Sequence, residues 1–596
     1  MDLNQYYTEK IKTYRKAIKE SQKLENRLSF MRLGSFIGTL LLFYFTFDVS
    51  LALSIVLLIV GLGIFINILK RHLSTIQKKG HLENLLLINE KELDCINGNF
   101  QSYPDGKEFV DKEHPYSGDL DIFGNSSLFQ YINRTTSKPG SSFLAEWLKH
   151  PTDTKEITKR QEAIAELKDL CTWRHELMCI GYKYPGSFDD PETIVNWANQ
   201  KPLFPKSKQL KVILNICSIL GFTLMLGLTL GIPSVFIFVL ITINISIIYK
   251  SFIDVNKIHN NVSKTSELLR SYEEVILLIE NKKFESKKLN ELQERFLIAN
   301  TLASKQIKNL YRLVNKLDYR LNILVAIPLN IFYFWDIRQV LKLENWKKLN
   351  KEHITRWFEA MAEFETLSSF ANLYYNNPEW VMPIIIEDHF KLSAEDVGHP
   401  LIPRDRRIGN DFNIKSEGKI VIITGSNMSG KSTFLRTCGA NIVLTMAGAP
   451  VCAKKFEISK VQVITSMRII DSLEENTSSF YAELKRLAYI IKTVEHQENV
   501  FLLLDEILRG TNSNDRHIGS VALIKQLIKF NAVGIIATHD IALSQLETEL
   551  PKHIDNYNFD VKIENEELFF DYKLMQGICK SLNASILMKK MGIKIE

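Results

Sequence analysis

The chain has 596 residues and a mass of 68.7 kDa, a length that predicts several compact units. Hydrophobic residues make up 45% and charged residues 24%, which excludes a disordered or collagen-like chain. The net charge of +6 is small for this length and does not favour a protein that coats nucleic acid. The seven cysteines are scattered without a C-x-x-C pair, which disfavours a disulfide scaffold or structural zinc site and favours a reducing compartment.

A charged helical stretch, residues 1–32, precedes the first of two long apolar runs. This run, 33–69, contains a single charge at Asp48. As one helix it would be about 55 Å long, nearly twice the ~30 Å hydrocarbon core of a bilayer. We therefore predict a transmembrane hairpin over 33–69 that turns at Asp48. Residues 70–118 are predicted to be a helical segment and linker, because Asn97–Gly124 is rich in Gly, Pro and Asp.

Residues 119–211 have apolar side chains at helical spacing and are predicted to be all-α. A second apolar run, 212–249, has no charged residue and is predicted to be a hairpin that turns at Gly231-Ile232-Pro233. Lys and Arg flank both runs but are absent from both turns, so the soluble parts are expected in the cytoplasm. The sequence thus predicts a multi-pass protein of the plasma membrane with four spans. The alternative is that both runs are core helices of a large soluble protein.

Residues 250–380 are predicted to form a second helical part. Within it, 251–320 is expected to be one long helix pair. The apolar stretch Leu321–Trp335 is 15 residues long with an internal proline, too short for a span, and is expected to be a buried or interfacial helix. From 381 to 596, short apolar runs bounded by glycine alternate with helical segments, which indicates an α/β domain with a largely parallel sheet.

The α/β part contains a strand, a loop of the pattern G-x-x-x-x-G-K-S and a helix, in that order. Glycines let consecutive backbone N–H groups face phosphates, and the helix adds its positive end. Lys431 would neutralise the β- and γ-phosphates, and Ser432 would ligate Mg²⁺. The residues predicted to bind the nucleotide are Gly425, Ser426, Asn427, Met428, Ser429, Gly430, Lys431, Ser432 and Thr433.

Two later apolar strands end in polar residues. The first ends at Asp505 and Glu506, of which Asp505 is predicted to hold Mg²⁺ and Glu506 to act as general base toward the attacking water. The second ends at Thr538-His539, and His539 is predicted to sense the γ-phosphate. The predicted catalytic residues are therefore Glu506, His539 and Lys431.

These motifs together resemble the ATPase domain of the MutS mismatch-repair family. TGSNMSGKST is similar to its Walker A loop, FLLLDEILRGTNSND to its Walker B segment and IIATHD to its histidine strand. DSLEENTSSFYAEL (Asp471–Leu484) resembles the element that crosses a dimer interface in this family. The resemblance implies ATP and Mg²⁺ as ligands, and a homodimer in which Ser478 caps the partner's nucleotide. The family's adenine-stacking aromatic has no obvious match in RRIGND.

The resemblance also covers residues 125–151 and 363–380, which are similar to the start and end of the family's helical lever. The implied fold is an α/β P-loop ATPase domain (ABC-type, MutS-like) C-terminal to an all-α lever domain, with two inserted transmembrane hairpins. By the same resemblance, the second hairpin is expected to take the place of the clamp with which members of the family hold DNA. No Phe-x-Glu tripeptide occurs, so the mismatch-recognition domain is also expected to be missing.

Three functions follow as hypotheses. The first is a membrane-anchored MutS-like ATPase that hydrolyses ATP at composite dimer sites and couples hydrolysis to movement of the lever helices. The second is a membrane-tethered DNA-binding protein of mismatch repair or recombination. The third, an ABC transporter, is disfavoured because the chain has four predicted spans and lacks an L-S-G-G-Q element. No transport substrate is therefore expected.

Overall fold

The computed structural model describes residues 2–184, 191–204, 207–262, 265–298, 301–387, 389–468, 479–564 and 567–579. Its α-helices are α1 Leu3–Phe47, α2 Leu51–Ile96, α3 Leu128–Ile132, α4 Lys138–Lys149, α5 Thr154–Asp169, α6 Cys171–Lys183, α7 Glu192–Asn199, α8 Ser207–Gly227, α9 Val235–Val262, α10 Ser266–Glu280, α11 Lys287–Glu294, α12 Ala303–Leu317, α13 Ile323–Tyr333, α14 Trp335–Asn350, α15 Ile354–Asn376, α16 Lys431–Ala447, α17 Ser479–His496, α18 Ser513–Lys529 and α19 Leu546–Glu549. Its strands are β1 Leu297–Ile298, β2 Thr301–Leu302, β3 Ile384–Ile386, β4 Leu392–Val397, β5 Asn410–Ile414, β6 Ile420–Gly425, β7 Lys455–Ser459, β8 Gln462–Ser466, β9 Val500–Asp505, β10 Val533–Thr538, β11 Ile554–Phe559, β12 Lys562–Glu564, β13 Glu567–Phe569 and β14 Leu574–Gln576.

Helices α1 and α2 pack along each other as the first hairpin. The chain reverses at residues 48–50, where the sequence predicts the turn, and Ser50 caps α2 by accepting a hydrogen bond from Leu53 N. Gly61 lies directly against Thr39, and any β-carbon at Gly61 would overlap that side chain. Each helix continues without a break from the apolar run into the charged residues, so 1–32 is not a separate element.

The charged end of the first hairpin consists of residues 3–32 of α1 and 70–96 of α2, and we call it the foot. It packs on the helical domain, which is formed by α3–α7 and α10–α15. Leu85 and Ile88 of α2 form a small core with Met178 and Cys179 of α6. Farther along α2, the carboxylate of Glu92 is completely buried. The foot is therefore held by both apolar and polar contacts.

Five side-chain donors surround Glu92. The Arg134 guanidinium donates from Nε and Nη2, Tyr103 OH donates at 3.0 Å, and the amides of Asn372 and Asn376 donate at 3.0 and 2.8 Å. Burial opposes ionisation of Glu92, but the charge of Arg134 outweighs it and lowers the pKa of the carboxyl to about 2. Glu92 of α2 is thus linked to Arg134, just after α3, by an ion pair and to Asn372 and Asn376 of α15 by hydrogen bonds.

The second hairpin consists of α8 and α9, which are joined through a short 3-10 turn, Leu228–Leu230, and Gly231-Ile232-Pro233. After it, α10 and α12 pack side by side. In sequence, α11 and the antiparallel pair of strands β1 and β2 lie between these two helices. Residues 251–320 therefore form several short elements, and the expectation of one long helix pair is wrong.

Leu321–Trp335 is expected to be a buried or interfacial helix, and the buried alternative is wrong for α13. No residue of α13 is buried, and the Leu324 side chain is 86% exposed. Phe334, in the left-handed conformation with φ of 53°, ends the helix and turns the chain by 78° into α14. Its apolar composition predicts burial, but the hydrophobic core of the helical domain is filled by α10, α12, α14 and α15 instead.

The C-terminal domain is built on a six-stranded sheet with the order β14-β11-β6-β10-β9-β8. Its strands are parallel except β14, which pairs antiparallel with β11 at one edge. Every residue of β6, β9 and β10 is buried, as the continuous apolar runs predict. A smaller mixed sheet, β3-β7-β4-β5, lies beside it. The α/β fold of this domain is thus as predicted.

The segment Asn97–Gly124 is not an open linker. Leu120 and Ile122 are buried in the main core. The Asp119 carboxylate accepts hydrogen bonds from Thr465 Oγ1 at 2.6 Å and from the backbone N–H of Met467 and Arg468 at 3.1 and 3.0 Å. Turn-forming residues correctly predict irregular backbone here, but they do not reveal that this backbone packs against the C-terminal domain.

Candidate active site

The nine consecutive residues predicted to bind the nucleotide run from the last residue of β6, through the connecting loop, into the first turn of α16. Gly425 has φ of 153° and Gly430 has φ of 108°, conformations that favour glycine. A β-carbon at Gly425 would lie 2.7 Å from the carbonyl oxygen of Phe559. The glycines therefore let the loop pass close to β11 and curl around the N-terminus of α16, where backbone N–H groups favour an anion.

Lys431, the first residue of α16, has a buried side chain that bends back over the loop. Its Nζ donates to the carbonyl oxygens of Gly425 and Ser426, both at 2.9 Å, and lies 3.4 Å from His539 Nε2. Burial lowers the pKa of Lys431 to about 8, although nearby Glu506 and Asp505 oppose this effect. The ammonium group is thus held where phosphates approaching the loop would meet it.

Asp505 ends β9 and carries a carboxylate that is only partly satisfied. Its Oδ1 is buried without a hydrogen-bond partner among the described residues. Burial raises the pKa of Asp505, and a hydrogen bond with Ser432 opposes this rise. An unpartnered carboxylate oxygen beside a hydroxyl suits Mg²⁺, which needs few protein ligands when it also binds substrate phosphates. Asp505 and Ser432 therefore fit the predicted metal site.

Glu506 follows Asp505 in the left-handed conformation, with φ of 50°. Its Oε1 is 2.7 Å from Nε2 of His539, and its Oε2 is 3.0 Å from Nε of Arg509. The hydrogen bond with His539 is the main cause that lowers the pKa of Glu506. The structure therefore brings together Lys431, Glu506 and His539, and it adds Arg509, which the sequence analysis did not single out.

A second glutamate supports the loop after β9. Glu483 of α17 is buried, and its Oε1 accepts a hydrogen bond from the backbone N–H of Leu508. Glu483 belongs to the segment Asp471–Leu484, which resembles the interface-crossing element, but the sequence pattern assigns it no role. Ser478 of the same segment lies outside the described residues, because α17 is described from Ser479 onward.

A cavity of about 390 Å³ extends from the loop. Its lining is polar along the loop and also includes apolar and aromatic side chains. Among them are Val397, His399, Ile402, Ile408, Phe559 and Tyr572, and the last two rings lie close to Gly430. Burial lowers the pKa of His399 to about 4, so this ring is neutral at physiological pH. Two aromatic rings thus reach the cavity from β11 and from the segment before β14, far in sequence from RRIGND.

The segment 398–410 separates this cavity from the foot of the first hairpin. His399, Ile402 and Ile408 line the nucleotide cavity. On the other side, Leu401 packs against a cluster formed by Cys95, Phe100 and Tyr103. We call residues 398–410 the shared loop, because its two sides contribute to these two surfaces.

Comparison with known proteins agrees with this architecture. The family description MutS domain III matches residues 117–494, and MutS domain V matches residues 421–591. The chain is 26% identical over 524 residues to the DNA mismatch repair protein MutS of Caldicellulosiruptor bescii, covering 79% of this chain and 58% of that protein. It is 31% identical over 236 residues to the protein of the same name from Thermotoga sp. (strain RQ2), covering 39% of this chain and 29% of the relative.

A third relative, the DNA mismatch repair protein MutS of Finegoldia magna, is 29% identical over 333 residues, which cover 55% of this chain and 34% of that protein. The chain thus spans between 29% and 58% of the length of these relatives. The domain III match alone covers more than half of the chain, and the domain V match includes the candidate active site. The chain therefore belongs to the MutS family.

Proposed function

We propose that this chain is an ATPase that binds ATP and Mg²⁺ in the cavity beside the glycine-rich loop. The observation that carries the proposal is the convergence of Lys431, Asp505, Glu506 and His539 at the N-terminus of α16. ATPase activity is a property of the MutS family, which supports the same chemistry here. The lining of the cavity also offers the aromatic rings of Tyr572 and Phe559 to a nucleotide base.

Each side chain of the site has a separate role in the proposed hydrolysis of ATP. Lys431 stabilises negative charge on the phosphates, and Glu506, ionised because of its hydrogen bond with His539, accepts a proton from the attacking water. Ser432 and Asp505 would hold Mg²⁺, which neutralises phosphate charge when bound. Arg509 orients the second oxygen of Glu506.

The assembly is proposed to be a homodimer with composite sites. Support comes from the family, whose members act as dimers, and from the resemblance of residues 471–484 to the interface-crossing element. In this arrangement Ser478 of each protomer completes the other protomer's site. A mixture of Ser478→Ala chains with Lys431→Ala chains should then regain activity, because one of the two composite sites has both residues intact.

The chain is further proposed to be anchored in the plasma membrane with its ATPase domain in the cytoplasm. Four described helices are long and apolar enough to cross a bilayer, and only 6% to 22% of their most apolar stretches is buried. Core helices of a soluble protein would be covered by other elements. Hydrolysis would then move the helical domain, as a lever, relative to the two hairpins.

A membrane-tethered DNA-binding function is the alternative. Its support is that the relatives are named DNA mismatch repair proteins and that members of the MutS family bind DNA. The two functions make different predictions for the purified full-length protein in detergent. DNA-handling activity requires that branched or mispaired duplex stimulates ATP turnover and binds in a salt-dependent manner. Turnover that is unaffected by such DNA favours the membrane-anchored ATPase.

Glu506→Gln tests the catalytic assignment. The variant should bind ATP as the parent chain does, but its turnover should fall by about 10²–10⁴-fold, because the amide cannot accept the proton from water. Glu498→Gln, on an exposed residue just before β9, is the matched control and should retain full turnover. Turnover of Glu506→Gln at the parent rate would contradict the role of Glu506 as general base.

A further inference from the structure

Helix α13 exposes an apolar surface, and the two asparagines of this segment form hydrogen bonds within it. Residues 322–335 contain no charged side chain. The Asn322 side chain caps the helix by accepting from Leu324 N, and the Asn330 amide both donates to Ala326 O and accepts from Asp336 N. The polar side chains at each end of this segment are therefore engaged inside it. The surface that remains is hydrocarbon, with Leu324 86% exposed.

This apolar surface is continuous with the second hairpin. Asn244 of α9 is buried and donates from Nδ2 to the backbone carbonyl of Ile331 at 2.8 Å. Phe332 lies against Gly221 of α8. Arg338, at the start of α14, donates to Asn215 of α8 at 2.7 Å. Helix α13 is thus fixed to both helices of a hairpin whose own outer surface is apolar.

The length of α13 decides how deeply it can enter a bilayer. Its 11 residues measure about 16 Å, roughly half of a ~30 Å hydrocarbon core, so it cannot span. Pro328 has no N–H to donate to the carbonyl of Leu324, four residues earlier, and that carbonyl needs water or another donor. A position at the level of the headgroups supplies water to this end of the helix.

The flanks of α13 have the composition of a membrane interface. Tyr319 and Trp335 stack with ring centroids 5.9 Å apart, and Trp335 Nε1 donates to the carbonyl of Lys316. Arg320 forms an ion pair with Asp336 at 3.3 Å. Aromatic rings with polar edges concentrate at headgroup level, and cations favour the cytoplasmic side.

From these contacts we propose that α13 inserts its apolar surface into the cytoplasmic leaflet of the bilayer, as an interfacial helix beside the second hairpin. The acyl chains of phospholipids would cover this apolar surface. The inference rests on the proposed membrane anchoring and adds to it a contact made by the helical domain itself. Because α14 continues directly from α13 and packs against α12 and α9, this contact would hold one end of the lever at the membrane.

The test uses nitroxide labels on the full-length protein in vesicles of phosphatidylethanolamine and phosphatidylglycerol. Single cysteines are placed at three exposed leucines, in a chain in which partly exposed Cys217 is replaced by alanine. Leu324→Cys reports on α13, Leu349→Cys on the adjacent α14, and Leu41→Cys on the first hairpin. Power saturation with oxygen and a water-soluble nickel complex measures the depth of each label.

The expected result is a label at 324 that lies about 5–10 Å below the headgroup boundary, while the label at 349 is in water and the label at 41 is in the hydrocarbon core. If 324 is as accessible to nickel as 349 while 41 is inserted, the interfacial helix is wrong and the anchoring stands. If 41 is also in water, both are wrong. If 324 is inaccessible to both reagents, protein covers α13, which overturns the assignment to lipid.

Discussion

Two buried carboxylates, Glu92 and Asp505, have opposite environments. Glu92 lies at the foot of the first hairpin and receives hydrogen bonds from Arg134, Tyr103 and two asparagines, and its pKa is lowered to about 2. Asp505 lies at the end of β9, where one oxygen has no partner among the described residues and burial raises its pKa. Both oxygens of Glu92 accept hydrogen bonds, whereas one oxygen of Asp505 does not.

The difference separates a structural ion pair from a ligand site. A buried charge without partners costs stability, and folded proteins keep such charges mainly where function needs them. Removing a partner from the Glu92 cluster should therefore damage the fold, whereas removing the charge of Asp505 should damage only the chemistry. Two experiments test this contrast, and a third tests the charge of Lys431, which lies near Asp505. They follow in order of decreasing expected effect.

Arg134→Met should have the largest effect. It leaves Glu92 buried without its cation, and breaking such a pair costs about 3–5 kcal/mol. Urea unfolding of the detergent-solubilised protein, followed by tryptophan fluorescence, measures this loss. Arg15→Met is the matched control, since the Arg15–Glu90 pair of the same hairpin is exposed and should contribute about 0–1 kcal/mol. Equal losses in the two variants would show that the Glu92 cluster has no special structural role.

Asp505→Asn should have the reverse pattern. The free energy of unfolding should change by less than about 1 kcal/mol or increase, because one oxygen of this buried carboxylate has no partner among the described residues and its ion pair with Arg509 is long, at 3.9 Å. Magnesium-dependent ATP turnover should fall by about 10²-fold or more, because the metal loses its carboxylate ligand. Asp405→Asn, at an exposed aspartate of the same domain, should change neither property. A large loss of stability with normal turnover would assign Asp505 to the structural class.

The pH dependence of nucleotide binding should give the smallest effect. Burial lowers the pKa of Lys431 to about 8, so the side chain is charged below this pH and becomes neutral as the pH rises through it. Phosphates bind the charged form, so affinity for a non-hydrolysable ATP analogue should decrease about fivefold between pH 8 and pH 9. Lys431→Arg keeps its charge and should bind independently of pH over this range. A flat profile for the unsubstituted chain would contradict a partly neutral Lys431.

The sequence predicts the active site better than it predicts the packing around it. Asp505 and Glu506 lie at the end of the apolar strand β9, and Lys431 follows the apolar strand β6 after a short loop. Parallel strands bring such ends to one edge of a sheet. Residues 97–124 and α13 are different, because their roles depend on which surfaces remain uncovered after the domains pack. Composition does not contain that information. The role of Ser478 remains a prediction, since it lies outside the described residues.

Arg509, Glu483 and Tyr572 reach the site for reasons that the sequence pattern does not reveal. Arg509 is directed to Glu506 by the left-handed backbone at Glu506 and Leu508, which no periodicity predicts. Glu483 approaches the same loop from α17. Tyr572 approaches Gly430 from beyond β13, more than a hundred residues downstream of the glycine-rich loop. Each depends on tertiary contacts between distant segments.

The shared loop places a single backbone segment against two different surfaces. His399 and Leu401 are separated by one residue, yet the first faces the nucleotide cavity and the second faces the cluster at the foot of the first hairpin. A displacement of this backbone therefore changes both surfaces at the same moment. Residues 398–410 therefore connect the candidate nucleotide cavity directly to the foot of the first hairpin, without involving α15.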